Sequence, residues 1–383
     1  MSVTAAKGFT AAGIAAGIKE NGNPDLALVV NTGPRLAAAG VFTSNRVKAA
    51  PVLWSEQVLK GGLVSAVVLN SGGANACTGP KGFQDTHATA EKVADVLSLN
   101  AGDVAVASTG LIGVTLPMDR LLPGVEKAAA ELSPHGGEKA AIAIKTTDSV
   151  HKTSVVTKDG WTVGGMAKGA GMLAPGLATM LVVLTTDAEL EADVLDRALR
   201  DATRLTFDRV DSDGCMSTND TVLLLASGAA GVTPEYAEFA AAVREVCDDL
   251  GRQLIGDAEG ASKDIKVEVV NAASEADAVE VGRSIARNNL LKCALHGEDP
   301  NWGRVLSAIG TTSAAFDPNE LNVAINGVWV CRNGSVGEDR ELVDMRYREI
   351  VITADLAAGD QAATIWTNDL TADYVHENSA YSS

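Results

Sequence analysis

Short apolar, β-prone runs alternate with amphipathic segments along the whole chain. The pattern restricts the fold to an α/β or α+β type, since each run needs strand neighbours while each amphipathic segment buries one face against them. Residues 104–107 read as a strand that stops at Ser108-Thr109-Gly110, where glycine supplies backbone freedom. Helices follow at 118–132 and 137–145, then strands at 161–165 and 179–185, the second being the most β-prone run in the chain. Next come a helix at 189–206, a strand at 221–226 and a helix opened by Thr233-Pro234, in which Phe239, Val243, Val246, Leu250 and Leu254 form one stripe. Strands at 265–270 and 351–356 follow, with a helix at 276–289 between them. A length of 383 residues carries about two domains, and the plainest reading of the Gly/Ala-rich stretch 160–176 is a linker between them.

The formal charge of −18 and the 4% aromatic content argue against a nucleic-acid partner, because a phosphate backbone is repelled and stacking platforms are scarce. Cys77, Cys215, Cys247, Cys293 and Cys331 are scattered and form no CxxC pair, so neither a disulfide framework nor a zinc ribbon is expected and a reducing compartment fits. The N-terminal apolar stretch is mostly Ala and Gly, too weak for a secretory signal, and no run is long enough to span a bilayer. The expectation is a cytoplasmic protein with no membrane partner.

Several motifs fail on context. Gly169-x-Gly171-x-x-Ala174 leads into Pro175 and a strand, whereas a dinucleotide fingerprint opens a helix. Residues 70–82 lack phosphate-loop spacing and read as a turn before a helix at 84–97. Cys293 and His296 are spaced as a ligand pair, but no second pair lies near them in sequence, so no metal is expected. No Gly-x-Ser-x-Gly elbow occurs, and none of the histidines has a nucleophile beside it.

One threonine stands out. In GAGMLAPGLATMLVVLTTD, residues 169–187, Thr179 sits where a Gly/Pro segment becomes an apolar strand. A hydroxyl nucleophile without histidine can use its own α-amine as base, and that amine, with a reference pKa of about 8, is partly neutral near neutral pH. The amine exists only if the bond between Ala178 and Thr179 is cut. Ala178 gives its carbonyl little cover, and Pro175 and Gly176 allow a bent approach. From these residues alone, strand propensity accounts for Thr179 as well as catalysis does.

The words Met166-Ala167-Lys168-Gly169-Ala170-Gly171-Met172-Leu173-Ala174-Pro175 and Ala178-Thr179-Met180-Leu181 resemble the self-cleavage motif of the ornithine acetyltransferase family, the bifunctional glutamate N-acetyltransferases. The likeness continues through Ser108-Thr109-Gly110, Thr146-Thr147-Asp148, Ser217-Thr218-Asn219-Asp220-Thr221, Glu259-Gly260-Ala261 and the tail 378–383. One position departs from the family pattern: His151 stands before Lys152 in place of proline.

The resemblance implies an α/β fold with an αββα-like sandwich, a smaller second domain and N-terminal-nucleophile chemistry. It implies self-cleavage into an alpha chain, 1–178, and a beta chain, 179–383, two of each forming a heterotetramer. Thr179 would take acetyl from N2-acetylornithine, release ornithine and pass the group to glutamate, as arginine biosynthesis requires. Thr109 and Gly110 match the oxyanion pair, and Thr146, Lys168, Glu259, Asn378 and Ser383 match substrate-binding positions. No bound cofactor is implied, and acetyl-CoA as a co-substrate is left open. Two other readings stand beside this one: a self-processing amidohydrolase or aminopeptidase, in which water is the acceptor, and a non-catalytic binding protein with residues 160–176 as a plain linker.

Overall fold

The computed structural model describes residues 2–174 and 180–380, and the chain divides into two compact units. The larger takes the residues up to Asp208 together with Cys215–Asp257; the smaller takes Arg209–Gly214 together with the residues from Ala258 onward.

In chain order the larger unit contains β1 (Phe9–Ile14), β2 (Leu26–Asn31), β3 (Ala38–Phe42), α1 (Ala50–Val58), β4 (Ala66–Ser71), α2 (Gly79–Leu97), β5 (Val104–Thr109), α3 (Met118–Ala130), α4 (Gly137–Ala143), β6 (Lys152–Lys158), β7 (Trp161–Lys168), β8 (Leu181–Thr186), α5 (Ala192–Leu205), β9 (Thr221–Ala226) and α6 (Tyr236–Gly256). One sheet has the order β1-β2-β4-β5 and the other β3-β9-β8-β7-β6. The side chains of the first sheet separate by parity, as the alternation of a strand demands. Val29, Leu69 and Ala107 meet Met166, Val183 and Leu223 of the second sheet. Their neighbours Leu28, Val68 and Val106 pack with Val93 of α2 and Val125 of α3. On the far side α5 and α6 cover the second sheet. The layers run helix, sheet, sheet, helix, which is an αββα sandwich.

Strands enclosed on both faces need apolar side chains throughout, and β5, β8 and β9 are buried along their whole lengths. The predicted stripe of Phe239, Val243, Val246, Leu250 and Leu254 is buried on α6, which starts at Tyr236. The linker reading of 160–176 is corrected: β7 occupies Trp161–Lys168 and pairs with β6 on one side and β8 on the other. Its glycines serve close packing. A Cβ on Gly164 would lie 2.4 Å from the Ser2 carbonyl oxygen, and one on Gly165 would lie 2.7 Å from a Leu184 methyl.

The smaller unit contains β10 (Asp264–Ala272), α7 (Glu275–Ala286), α8 (Asn289–His296), α9 (Trp302–Ile309), β11 (Asn322–Ile325), β12 (Val328–Arg332), β13 (Ser335–Val336), β14 (Glu349–Asp355), β15 (Gln361–Asn368) and α10 (Ala372–Ala380). Its sheet, β13-β12-β11-β14-β10-β15, buries Ile265, Val267, Ile352 and Ile365 against Val281 and Ile285 of α7 and Val305 of α9. The helix expected at 276–289 is present as α7 and ends three residues earlier, at Ala286. Asn288 then accepts the Leu291 N–H at 2.9 Å, a side-chain cap that starts α8 as a separate helix. The tail, which sequence would leave frayed, forms α10 up to Ala380. Among the described residues no helix is long and apolar enough to cross a membrane.

Candidate active site

Thr109 is the last residue of β5 and is buried. Its carbonyl accepts the N–H groups of Gly72 at 2.9 Å and Gly73 at 3.0 Å, which folds the chain after β4 against the end of β5. Gly110 follows with φ at +130°, and a Cβ there would lie 2.5 Å from the Gly73 nitrogen. Only glycine fits such a position. The turn read from Ser108-Thr109-Gly110 is therefore present, tightly held and free of side-chain bulk at Gly110.

Lys168 ends β7 and is 2% exposed. Its Nζ donates to Thr109 Oγ1 at 3.4 Å, joining residues from the two sheets. Asp148, also buried, accepts the Gly169 N–H at 2.6 Å and Lys152 Nζ at 2.7 Å through Oδ1, and the Thr146 N–H at 3.0 Å through Oδ2. Burial opposes ionisation of this carboxyl, but the charges of Lys168 and Lys152 and the Gly169 N–H outweigh it and hold its pKa below the ordinary range. Thr146 and Lys168 thus stand at one ionised carboxylate, and Lys168 in turn reaches Thr109. Lys19 adds a further cation there: its Nζ donates to the Lys145 carbonyl at 2.6 Å, and burial followed by the charge of Lys168 lowers its pKa, against the pull of Asp25 and Asp148.

Ala178 and Thr179, with Pro175 and Gly176, lie outside the described residues, as does Ser383. The flanks of the proposed cleavage site are described. Lys168 pairs with Leu181 across β7 and β8, and Met180 is fully buried. The Met180 N–H donates to Asp220 Oδ1 at 3.1 Å. Asp220 is buried at the start of β9, and burial raises its pKa well above the ordinary value against the Met180 N–H, the Ser217 hydroxyl and Lys168. In the smaller unit, Asn378 on α10 donates through Nδ2 to Glu259 Oε2 at 2.9 Å, so these two expected substrate contacts also meet each other.

Asp148, Lys152, Asn219, Asp220 and Lys19 have no local chemical signature: Asp148 and Lys152 do pair at i,i+4, but the contacts to Gly169, Asp257, Ser108, Met180 and Lys145 are 21 to 126 residues away in sequence. The only signal was that Asp148, Asn219 and Asp220 fall inside words already shared with a family. Among the described residues no group of three or more His, Cys, Asp or Glu is placed to hold a metal ion. Cys293 and His296 share α8, but His296 Nδ1 is hydrogen-bonded to Asp369 Oδ2 at 2.9 Å.

A buried hydroxyl, a rigid glycine turn and a buried cation at strand ends of an αββα sandwich are an arrangement that an α/β enzyme can use. Residues 10–383 match the ArgJ family, and the chain belongs to it. It is 88% identical to the arginine biosynthesis bifunctional protein ArgJ of Streptomyces avermitilis over the full length of both. It is 63% identical to the protein of the same name from Thermobifida fusca, again over the full length of both. The solved structure of ornithine acetyltransferase complexed with ornithine from Mycobacterium tuberculosis is 61% identical, covers 47% of this chain and 96% of its own, and has a TM-score of 0.45.

Proposed function

We propose that the chain is an acetyltransferase of arginine biosynthesis that moves acetyl from N2-acetylornithine to glutamate on the hydroxyl of Thr179. Membership of the ArgJ family supports the reaction. The observation that carries the site is the Lys168–Thr109 contact at the strand end where Lys168 pairs with Leu181, two residues after Thr179.

Self-cleavage comes first. The Thr179 hydroxyl attacks the Ala178 carbonyl, the acyl group shifts from nitrogen to oxygen, and water hydrolyses the ester to leave an Ala178 carboxylate and a free Thr179 amine. The neutral amine then takes the hydroxyl proton as Oγ attacks the acetyl carbonyl of N2-acetylornithine. The Thr109 hydroxyl and the Gly110 N–H stabilise the oxyanion, which is where preorganised donors contribute most. Ornithine leaves with the proton, and the amine of glutamate attacks the acetyl ester to regenerate Thr179.

Lys168 and Thr146 bind the α-carboxylate common to both substrates. Glu259 takes the side-chain ammonium of ornithine, and Asn378 and Ser383 complete the binding set. The fragments 1–178 and 179–383 stay joined because β7 and β8 belong to one sheet, and two copies of each assemble in the cytoplasm. No bound cofactor takes part.

Intact-mass measurement and N-terminal sequencing test the first step: a new terminus Thr-Met-Leu is expected, and a single uncut chain in active material overturns the mechanism. Thr179→Ala should abolish both cleavage and transfer. Acetylglutamate is the expected product from acetylornithine and glutamate, whereas acetate as the main product would assign the site to an amidohydrolase. Acetyl-CoA in place of acetylornithine in the same assay tests the second donor.

A further inference from the structure

The residue after Thr179 is held from two directions by the start of β9. Its N–H donates to Asp220 Oδ1 at 3.1 Å, and its carbonyl accepts the Thr221 N–H at 3.1 Å. One residue earlier, Asn219 Nδ2 donates to the Ser108 carbonyl at 2.8 Å and the Ala74 carbonyl at 2.6 Å, while Asn219 Oδ1 accepts the Thr218 hydroxyl at 2.6 Å. The Asp220 carbonyl in turn accepts the Thr43 N–H at 3.0 Å. Both side chains are at least 95% buried, Asn219 being 4% and Asp220 0% exposed. Ser108 immediately precedes the Thr109–Gly110 turn. A single peptide unit therefore links the grip on that turn to the grip on Met180.

We propose that Asn219 and Asp220 form a brace that sets the separation between the Thr109–Gly110 turn and Met180, the residue that follows Thr179, which makes Asp220 a positioning residue for self-cleavage and for transfer. This rests on the reading of Thr179 as nucleophile. A backbone N–H at a buried strand end needs an acceptor, and many side chains could supply one. An acceptor adjoining the residue that fixes the oxyanion turn does more, because it transmits that position to the reacting hydroxyl. Misplacement of reacting groups by about 1 Å costs on the order of 100-fold in rate.

The test follows cleavage by intact mass in the full-length wild type, Asp220→Asn, Asp220→Ala and Asn219→Ala, with folding checked by circular dichroism and kcat and KM measured on the cleaved fraction. Asparagine keeps the Oδ1 acceptor, so Asp220→Asn should cleave close to the wild-type rate. Asp220→Ala should cleave about 100-fold more slowly, with kcat reduced and KM for both substrates unchanged. The double variant Asn219→Ala/Asp220→Ala should be no slower than the slower single one, since the two act as a unit. A folded Asp220→Ala that cleaves at the wild-type rate overturns the brace. So does an Asp220→Asn that is impaired like the alanine variant, or that fails where alanine does not fold, because the lost property is then the proton and not the acceptor. A wild-type chain that stays intact removes the reading of Thr179 itself, and it is recognised before any variant is compared.

Discussion

Strands β8 and β10 are both valine-rich, yet their surroundings give polar residues opposite meanings. β8 lies inside the sandwich and is buried at every position, whereas β10 buries Ile265, Val267 and Val269 and leaves Lys266 and Glu268 half-exposed. On an open sheet face a charged side chain keeps its water, and its presence says little about function. Inside the sandwich there is no wet face, so every charge must find its partner in the protein. Lys152, Lys168, Asp148 and Asp220 are therefore costly residues in the larger unit, and three of them gather at the strand ends where Thr109 lies.

The largest effect expected from this contrast is at Lys152, whose side chain is fully buried and bonded to Asp148 at 2.7 Å and Asp257 at 2.6 Å. Lys152→Met leaves Asp257 without its cation and Asp148 with Lys168 alone, and loss of one partner of a buried pair costs about 3–5 kcal/mol. Urea unfolding of the wild type and the variant measures it; a loss below 1 kcal/mol would mean that water reaches the cluster. Asp148 gives the matching acid response. Its folded pKa lies below the unfolded value, so its stabilising contribution is complete above the unfolded pKa and disappears as pH falls through the folded one.

The second effect tests whether the interior of the sandwich is as tight as its glycines indicate. Gly164→Ala places a methyl against the Ser2 carbonyl oxygen, a backbone atom that cannot swing aside. Overpacking of this kind costs about 1–3 kcal/mol, again read from urea midpoints. An unchanged midpoint would show that the N-terminal segment yields.

These glycines also explain why part of the fold was illegible in sequence. The runs at β5, β8 and β9 and the stripe on α6 could be read because β-branched residues and a 3.6-residue period carry their own signal. The glycines of β7 and the alanines of β1 and β3 have low strand propensity, and their pairing is decided by neighbouring strands, so the strand read at 161–165 stopped short of Lys168 and the stretch around it looked like a linker. The site followed the same rule. Thr109 and Lys168 are 59 residues apart and had no local reason to be associated; resemblance to a family brought them together. Asp220 lies in a word shared with the family, but its role became visible through its bond to Met180, a contact across two strand starts that no spacing encodes.

Asp220 supplies the third effect, a pH dependence. Burial raises its folded pKa well above the ordinary value, so between the unfolded and folded pKa values the native state binds more protons than the unfolded one. Stability attributable to this group is then greatest below the unfolded pKa of about 4 and falls as pH rises toward the folded value, at no more than about 1.4 kcal/mol per pH unit. Asp220→Asn removes the titration. The stability of the variant relative to wild type should therefore rise with pH across that window. A difference independent of pH would mean that the Met180 N–H and Lys168 keep the carboxyl ionised.

The smallest effect belongs to the open face. Lys266 Nζ lies 2.6 Å from Glu268 Oε1, each side chain 31% exposed, and 5.8 Å from the ring centre of Trp366. The charges keep part of their hydration, and the Coulomb gain is offset by the entropy of holding two long side chains. Lys266→Ala should cost about 0–1 kcal/mol, and the loss should shrink as salt screens the pair. Urea midpoints at low and high ionic strength check both statements. A loss as large as that of Lys152→Met, and insensitive to salt, would mean that this face of β10 is covered in solution. Charge on an open strand would then carry the same weight as charge inside the sandwich, and the distinction between the two sheets would fail.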